Sequence, residues 1–330
     1  MRPGNPTRTL TRRWYLLGVL APAAAALAFG ATLLAGTGTA VAVTNFPPTG
    51  TTISPGASLL FPASSNGTTS SSNQCTGDFI FTGGGNTYIG TAAHCAEASS
   101  GTTPSTDAGC TTPLITNGSN ASGDPIGLPV YLGEPPVSDN SGSVSAGVPV
   151  SQGPQIGTLA YDSWYTMQQL GYNSATSGSE DTACQYNDFA LVQLLPGVTV
   201  SDTVPLWGGP DGLDTTGASE GSAVYTYGNS GLRGSAYVLS PMPGVSEGYV
   251  SGSGNWTEQI LTDGVPGDSG SPVLDSGGNA LGVLVTLQAG TSVDGVSVGV
   301  TDLDAALSWL SANSGLPAIS LATSDTFSAP

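Results

Sequence analysis

Between Phe79 and Val300 the apolar residues come in short alternating runs, such as Phe79-Ile80-Phe81 and Leu281 to Leu287, separated by turn-forming residues. A period of two puts successive side chains on opposite faces of a pleated strand, so a chain written this way folds as β-structure. The 48 glycines and the abundant serines would also suit low-complexity disorder, but disordered segments lack apolar runs that recur so regularly. One stretch changes period. Leu303, Ala306, Leu307 and Leu310 fall on one helical face, with Thr301 or Asp302 placed to cap it. An all-β fold closed by a C-terminal helix is therefore expected. Strands are expected at 57–61, at 155–162 and 189–195, and at 77–81 with 88–93 as a hairpin around Gly83-Gly84-Gly85. A second group is expected at 223–228, 235–239, 256–261, 272–274, 281–287 and 296–300, with 313–330 as a polar tail. Residues 96–153 read as a long polar insert with little periodicity beyond Ile126 to Leu132.

The front of the chain is written differently. Arg2, Arg8, Arg12 and Arg13 precede an apolar stretch from Trp14 to Leu34, and Ala40-Val41-Ala42 is a small-residue cleavage pattern. Residues 1–42 are therefore expected to be an export signal, with the mature chain starting near Val43. Arg12-Arg13 with the following aromatic-leucine step also suits twin-arginine export. An uncleaved anchor is the alternative, since about 20 apolar residues can span a bilayer. The small-residue end of the segment favours cleavage, and a secreted, extracellular protein is expected.

All 23 acidic residues follow Ala42, Arg233 is the only later cation, and the chain has no lysine, so the exported part carries a formal charge of −22. Such a surface repels nucleic acid and anionic membranes. It would also suit an acidic habitat, where carboxylates protonate and self-repulsion fades; the solubility of a secreted protein accounts for it equally well. Removing 42 of 330 residues leaves 288, enough for one large domain or two packed barrels. Four cysteines in an exported chain imply two disulfides, for which three pairings exist. A metal site is poorly served: there is no CxxC, and the chain has one histidine.

Three stretches carry chemistry. Gly267-Asp268-Ser269-Gly270-Ser271-Pro272-Val273 sets a serine on a glycine turn, where the amides of Gly267 and Ser269 can converge on a developing oxyanion. Thr91-Ala92-Ala93-His94-Cys95 holds the only histidine, and imidazole is the base that a hydroxyl nucleophile needs near neutrality. Asn187-Asp188-Phe189-Ala190-Leu191-Val192 places a carboxylate at the mouth of an apolar run, whereas Asp162, Asp181 and Asp202 read as solvated competitors. In the order His, Asp, Ser these motifs resemble the chymotrypsin-like (trypsin-fold) serine proteases of the secreted bacterial type, over roughly residues 51 to 312.

That resemblance implies two antiparallel six-stranded β-barrels, about 51–205 and 215–300, followed by the helix at about 301–312. It implies a serine endopeptidase working through an acyl-enzyme, with Ser269 as nucleophile, His94 as general base and Asp188 as the carboxylate that orients it. It pairs Cys75 with Cys95 behind the histidine, which leaves Cys110 with Cys184. In the family a buried cation holds the aspartate before the nucleophile, and an Asp268–Arg233 ion pair is expected here. By family position Asp263 would floor the specificity pocket and select Arg or Lys; a solvated loop aspartate is the competing reading. Ser271 departs from a glycine common in the family. A monomer acting on protein or peptide, with no metal or organic cofactor, is expected. The rival readings are an esterase using the same triad and a protease-fold binding protein with a dead site.

Overall fold

The computed structural model describes residues 52–62, 72–98, 108–117, 123–134, 150–172, 182–233, 239–288 and 296–329. The export segment expected at 1–42 and much of the 96–153 insert lie outside the described residues.

Alternation becomes strands in two groups. The first holds β1 (Thr52–Ile53), β2 (Ser58–Pro62), β3 (Ser72–Thr76), β4 (Ile80–Gly83), β5 (Asn86–Thr91), β6 (Pro129–Glu134), β7 (Ser151–Asp162), β8 (Ala190–Leu194) and β9 (Thr199–Val200). The second holds β10 (Ala223–Tyr227), β11 (Pro241–Tyr249), β12 (Thr257–Thr262), β13 (Pro272–Leu274), β14 (Ala280–Gln288) and β15 (Val296–Asp302). These last six close into a barrel in the order β10-β11-β12-β15-β14-β13.

The first group differs from a plain six-stranded barrel. β1 and β9 pair parallel with each other in a two-stranded sheet, and the rest form an eight-stranded antiparallel sheet, β16-β4-β5-β8-β7-β6-β2-β3, in which β16 (Ser320–Leu321) comes from the C-terminus. β3 and β4 lie toward opposite ends of that order yet are joined directly by Gly77, Asp78 and Phe79. This link bonds to Gly56 and Ala57 beside β2 on one side and to Gly90 of β5 on the other. Counted as one bent strand, β3–β4 closes the sheet on itself, and β16 adds an outer strand to β4. The segment 313–330 is accordingly no free polar tail. Ser320 pairs with Thr82, and Leu316, Ile319, Leu321 and Phe327 pack against the core.

In the second barrel the expected strand at 235–239 falls mostly outside the described residues, and the strand here is β11, which the sequence concealed. Pro241, Pro243, Gly244 and Gly248 make it read as loop. The structure tolerates both prolines because β12 pairs with β11 only from Val245 onward, so their missing N–H groups face no partner strand.

Among the described residues four short helices accompany the strands: α1 (Ala108–Thr111), α2 (Ser163–Gln169), α3 (Thr182–Tyr186) and α4 (Leu303–Asn313). α4 is the expected C-terminal helix, with Asp302 Oδ1 accepting from Ala305 N at 2.8 Å and Leu303, Ala306 and Leu310 buried. α2 and α3 are too short to display a helical period in sequence. The disulfides are Cys75–Cys95 and Cys110–Cys184, the second tying α1 to α3. The interior of the first sheet is one large apolar cluster that also takes in Leu274, Val283 and the buried face of α4; a smaller cluster around Val224, Ile260 and Val298 fills the second barrel. Residues Thr44–Pro330 pack as one unit. No helix among the described residues is long and apolar enough to cross a membrane.

Candidate active site

His94 stands in a 3-10 turn, Ala93–Ala96, where β5 ends. The turn is anchored from β3: Cys75 bridges to Cys95, and Asn73 Nδ2 donates to the carbonyls of Cys95 (3.2 Å) and Glu97 (2.8 Å). Asp188 follows α3 and precedes β8. Its segment is gripped by Ser163, whose Oγ donates to Asn187 O at 2.8 Å and accepts from Phe189 N at 3.1 Å.

These supports bring the two side chains together. Asp188 Oδ2 lies 2.7 Å from His94 Nδ1, and Oδ1 accepts from the His94 main-chain N at 2.9 Å. A carboxylate accepts only, so Nδ1 carries the proton and the Nε2 lone pair is left to act as base. Burial pushes the His94 pKa down, but the charge and hydrogen bond of Asp188, with Glu97 and Asp162 adding to them, outweigh it. The net result lies above the ordinary imidazole value.

Ser269 enters from the other half, and β3 again sets its position. Thr76 N donates to Ser269 O at 2.7 Å, and Thr76 Oγ1 donates to Gly267 O at 2.9 Å. Gly270 is pressed so closely on the histidine strand that a β-carbon there would collide with Thr76 O and Thr91 Oγ1. One strand thus holds the histidine turn through a disulfide and the serine loop through hydrogen bonds. The structure records no hydrogen bond between Ser269 Oγ and the imidazole; such bonds are often long before substrate binds.

The loop around Ser269 leaves alternate amides unused. Asp268 N donates to Val265 O, Gly270 N to Leu284 O and Ser271 N to Asp268 O, whereas the amides of Gly267 and Ser269 donate to no acceptor among the described residues. Gly267 has φ +98°, a conformation that a side chain would strain.

Asp268 is fully buried and meets the guanidinium of Arg233. Arg233 Nε lies 3.0 and 3.2 Å from the two carboxylate oxygens, and Nη2 also bonds Oδ2. Ser230 N and Val265 N donate to the same carboxylate. Arg233 Nη2 further donates to Asp263 O at 2.7 Å. The Asp263 side chain itself is exposed, which is the setting of a solvated loop aspartate and not of a pocket floor. The side chain of Ser271 is buried and donates to Asp268 O at 2.6 Å, so a serine fits where glycine is common.

Asp162, expected to be solvated, is fully buried. Its Oδ1 caps α2 by accepting from Tyr165 N at 2.9 Å, and its Oδ2 is buried without a partner. Burial drives its pKa up to about 8, and the neighbouring charge of Asp188 pushes the same way. The sequence signal for its position was Asp162-Ser163 opening a helix, a cap pattern. Trp164, on the same helix, puts its ring centroid 6.2 Å from that of His94. Cys75, His94 and Cys95 cluster, but two of the three are joined in a disulfide and offer no thiolate to a metal.

The family model described as Trypsin matches residues 153–310, a span that contains Asp188, Arg233, Asp268 and Ser269 and begins after His94. No curated protein matches the sequence. Among solved structures, Thermobifida fusca Protease A is 17% identical, with 83% of this chain and 100% of that chain covered and a TM-score of 0.45. Cellulomonas bogoriensis chymotrypsin is 18% identical over 83% and 100%, with a TM-score of 0.41. Nocardiopsis protease is 15% identical over 82% and 98%, with a TM-score of 0.42.

Proposed function

We propose that this chain, whose residues 153–310 match the family model described as Trypsin, is an exported serine endopeptidase acting through His94, Asp188 and Ser269. The observation that carries the reading is the two-point grip of Asp188 on His94, at 2.7 Å to Nδ1 and 2.9 Å to the backbone N. It orients the ring and supports the positive charge that forms when Nε2 takes a proton.

In this scheme Ser269 Oγ attacks the peptide carbonyl as its proton passes to His94 Nε2. The oxyanion that forms is held by the Gly267 and Ser269 amides, which have no acceptor of their own among the described residues. His94 returns the proton to the leaving amine, and the resulting ester on Ser269 is hydrolysed by water activated in the same way. Arg233 keeps Asp268 inside the protein, and that anchors the Gly267–Ser269 turn. No step calls for a metal or organic cofactor. The front 42 residues serve as the export signal, and the exported chain acts as a monomer on protein or peptide.

Labelling with a fluorophosphonate, paired with hydrolysis of matched peptide and ester substrates, tests the reading. The wild type should label at Ser269 and cleave peptides, and Ser269→Ala should stay folded while losing both by several orders of magnitude. Near-wild-type turnover in Ser269→Ala would remove the proposal. Ester cleavage without peptide cleavage would favour the esterase.

A further inference from the structure

A triad alone does not decide which peptide bond is cut. We infer that Leu287 and Val298 close the side-chain slot beside Ser269, so that the residue contributing the scissile carbonyl must be small and uncharged. This rests on the proposed function and specifies its substrate.

Two segments bound the space next to the nucleophile. One is the loop from Gly264 to Ser269, which delivers the free amides; the other is the start of β14's outer half, Leu284 to Leu287. At the serine end they are pinned by Gly270 N donating to Leu284 O at 2.7 Å and Leu284 N donating to Ser271 O at 3.0 Å. β13 covers β14 only as far as Val283, so beyond that point the edge of β14 facing the serine loop has no partner strand. A substrate whose carbonyl carbon sits at Ser269 Oγ, with its oxygen on the two amides, must direct its side chain between these segments.

The far end of that space is shut by apolar groups. Leu287 and Val298 are Cα partners across β14 and β15, so their side chains share a face. Val298 Cγ1 and Leu287 Cδ2 lie 2.9 and 3.0 Å from the point where a β-carbon on Gly264 would stand. Gly264 is buried, and the two side chains are packed directly onto the loop. A long or aromatic side chain would have to displace them, and overpacking a filled apolar space is unfavourable. A charged side chain would have no partner there among the described residues. The Asp263 carboxylate is exposed, and the Arg233 guanidinium is already engaged by Asp268. An unpaired charge in such a slot is strongly disfavoured.

The test uses the exported chain and peptide substrates that differ only in the residue supplying the carbonyl: Gly, Ala, Val, Leu, Phe, Arg and Glu. Ala or Val should give the highest kcat/KM, with Phe, Arg and Glu lower by about tenfold or more. Leu287 is 38% exposed, so Leu287→Gly should fold. It should raise Leu and Phe relative to Ala by about tenfold, with fluorophosphonate labelling retained. Leu287→Ala should move the ratio the same way by less, and serves if the glycine variant fails to fold. A labelled wild type that prefers Phe, Arg or Glu overturns the inference but leaves the protease reading intact. So does a folded, labelled Leu287 variant with an unchanged ratio. A chain that neither labels nor cleaves any of the peptides removes both.

Discussion

Asp268 on the serine side of the site and Asp162 on the histidine side are both fully buried carboxyl groups, and the fold treats them in opposite ways. Asp268 receives a guanidinium and two backbone amides. Asp162 receives one helix-capping amide, keeps one oxygen without a partner, and has its pKa driven up to about 8 by burial. Only Arg233 is available as a side-chain cation beyond the first 42 residues, so a single buried carboxylate can be neutralised by an ion pair. The others must rely on hydrogen bonds, as Asp188 does with His94, or on a proton. Asp78, in the link between β3 and β4, is buried with both oxygens unpartnered, and burial holds its pKa well above the usual carboxyl range. Glu258, with one oxygen unpartnered, is pushed up to about 7, chiefly by burial and then by the charges of Asp302 and Asp214.

The largest expected effect comes from removing the ion pair. Arg233→Met strands a buried carboxylate, and breaking such a pair costs about 3–5 kcal/mol in comparable cases. Asp268 relieves the penalty by turning outward or taking up a proton, and turning drags the Gly267 amide from the oxyanion position. Loss of one such donor lowers kcat by about 10²–10³. The double variant Arg233→Met with Asp268→Asn should recover part of the activity, because no charge is then stranded. Additive effects in that double-mutant cycle would show that the contact has no energetic weight.

Asp162→Asn should do the reverse and stabilise the protein, depending on pH. The folded pKa is raised, so the unfolded state loses this proton first as pH rises. Stability from the group is full below about pH 4 and is lost progressively as pH rises through about 8. Asparagine caps a helix as well as aspartate does. Thermal melts should therefore show the variant more stable than wild type at pH 8 and equal at pH 4, by about 2–4 °C per kcal/mol recovered. A pH-independent difference would mean that Asp162 is ionised in the folded protein.

Glu258→Gln should show the same crossover in weaker form. Its Oε1 already accepts from Ala218 N at 2.9 Å, and the stability it supplies is lost as pH rises from about 4.5 through about 7. Together with Asp78 and Asp302, also raised by burial, these groups make the wild type more stable in mild acid than at pH 8. This agrees with the formal charge of −22 on residues 43–330, which repel one another less as their carboxylates protonate.

The smallest change concerns the acid limb of kcat/KM. His94 must be neutral to act as base, so the limb should lie above the ordinary imidazole value of about 6.5, because the pull of Asp188 outweighs burial. Asp162, with its pKa pushed up to about 8, is mostly protonated over that range and is the smallest of the pulls on His94, so Asp162→Asn should lower the limb by no more than a few tenths of a unit. A larger shift would place an ionised carboxylate beside the ring.

Elements with a local signal of their own were legible in the order of residues. Alternation marked β2, β5, β8 and β14; the glycine-framed Ser269, the lone His94 and the apolar run after Asp188 stood out by composition alone. Helix α4 announced itself by period and cap. β11 did not, because its prolines suit a strand only where one side lacks a partner, and that depends on where β12 stops. α2 and α3 did not, because they are too short to repeat an apolar face. Residues 313–330 looked polar because their few apolar side chains have no period. They pack only because β4 has an outer edge to receive Ser320 and Leu321.

What sequence by itself determined was which groups were available: one histidine, one late arginine, a serine among glycines and many carboxyls. Which of these carry charge was decided only by the tertiary structure. Asp162, Asp188 and Asp268 are the same residue type with the same intrinsic acidity. Their different states come from burial and from what each carboxyl faces, a guanidinium for Asp268, the His94 ring for Asp188, and for Asp162 little more than one amide of a helix it caps.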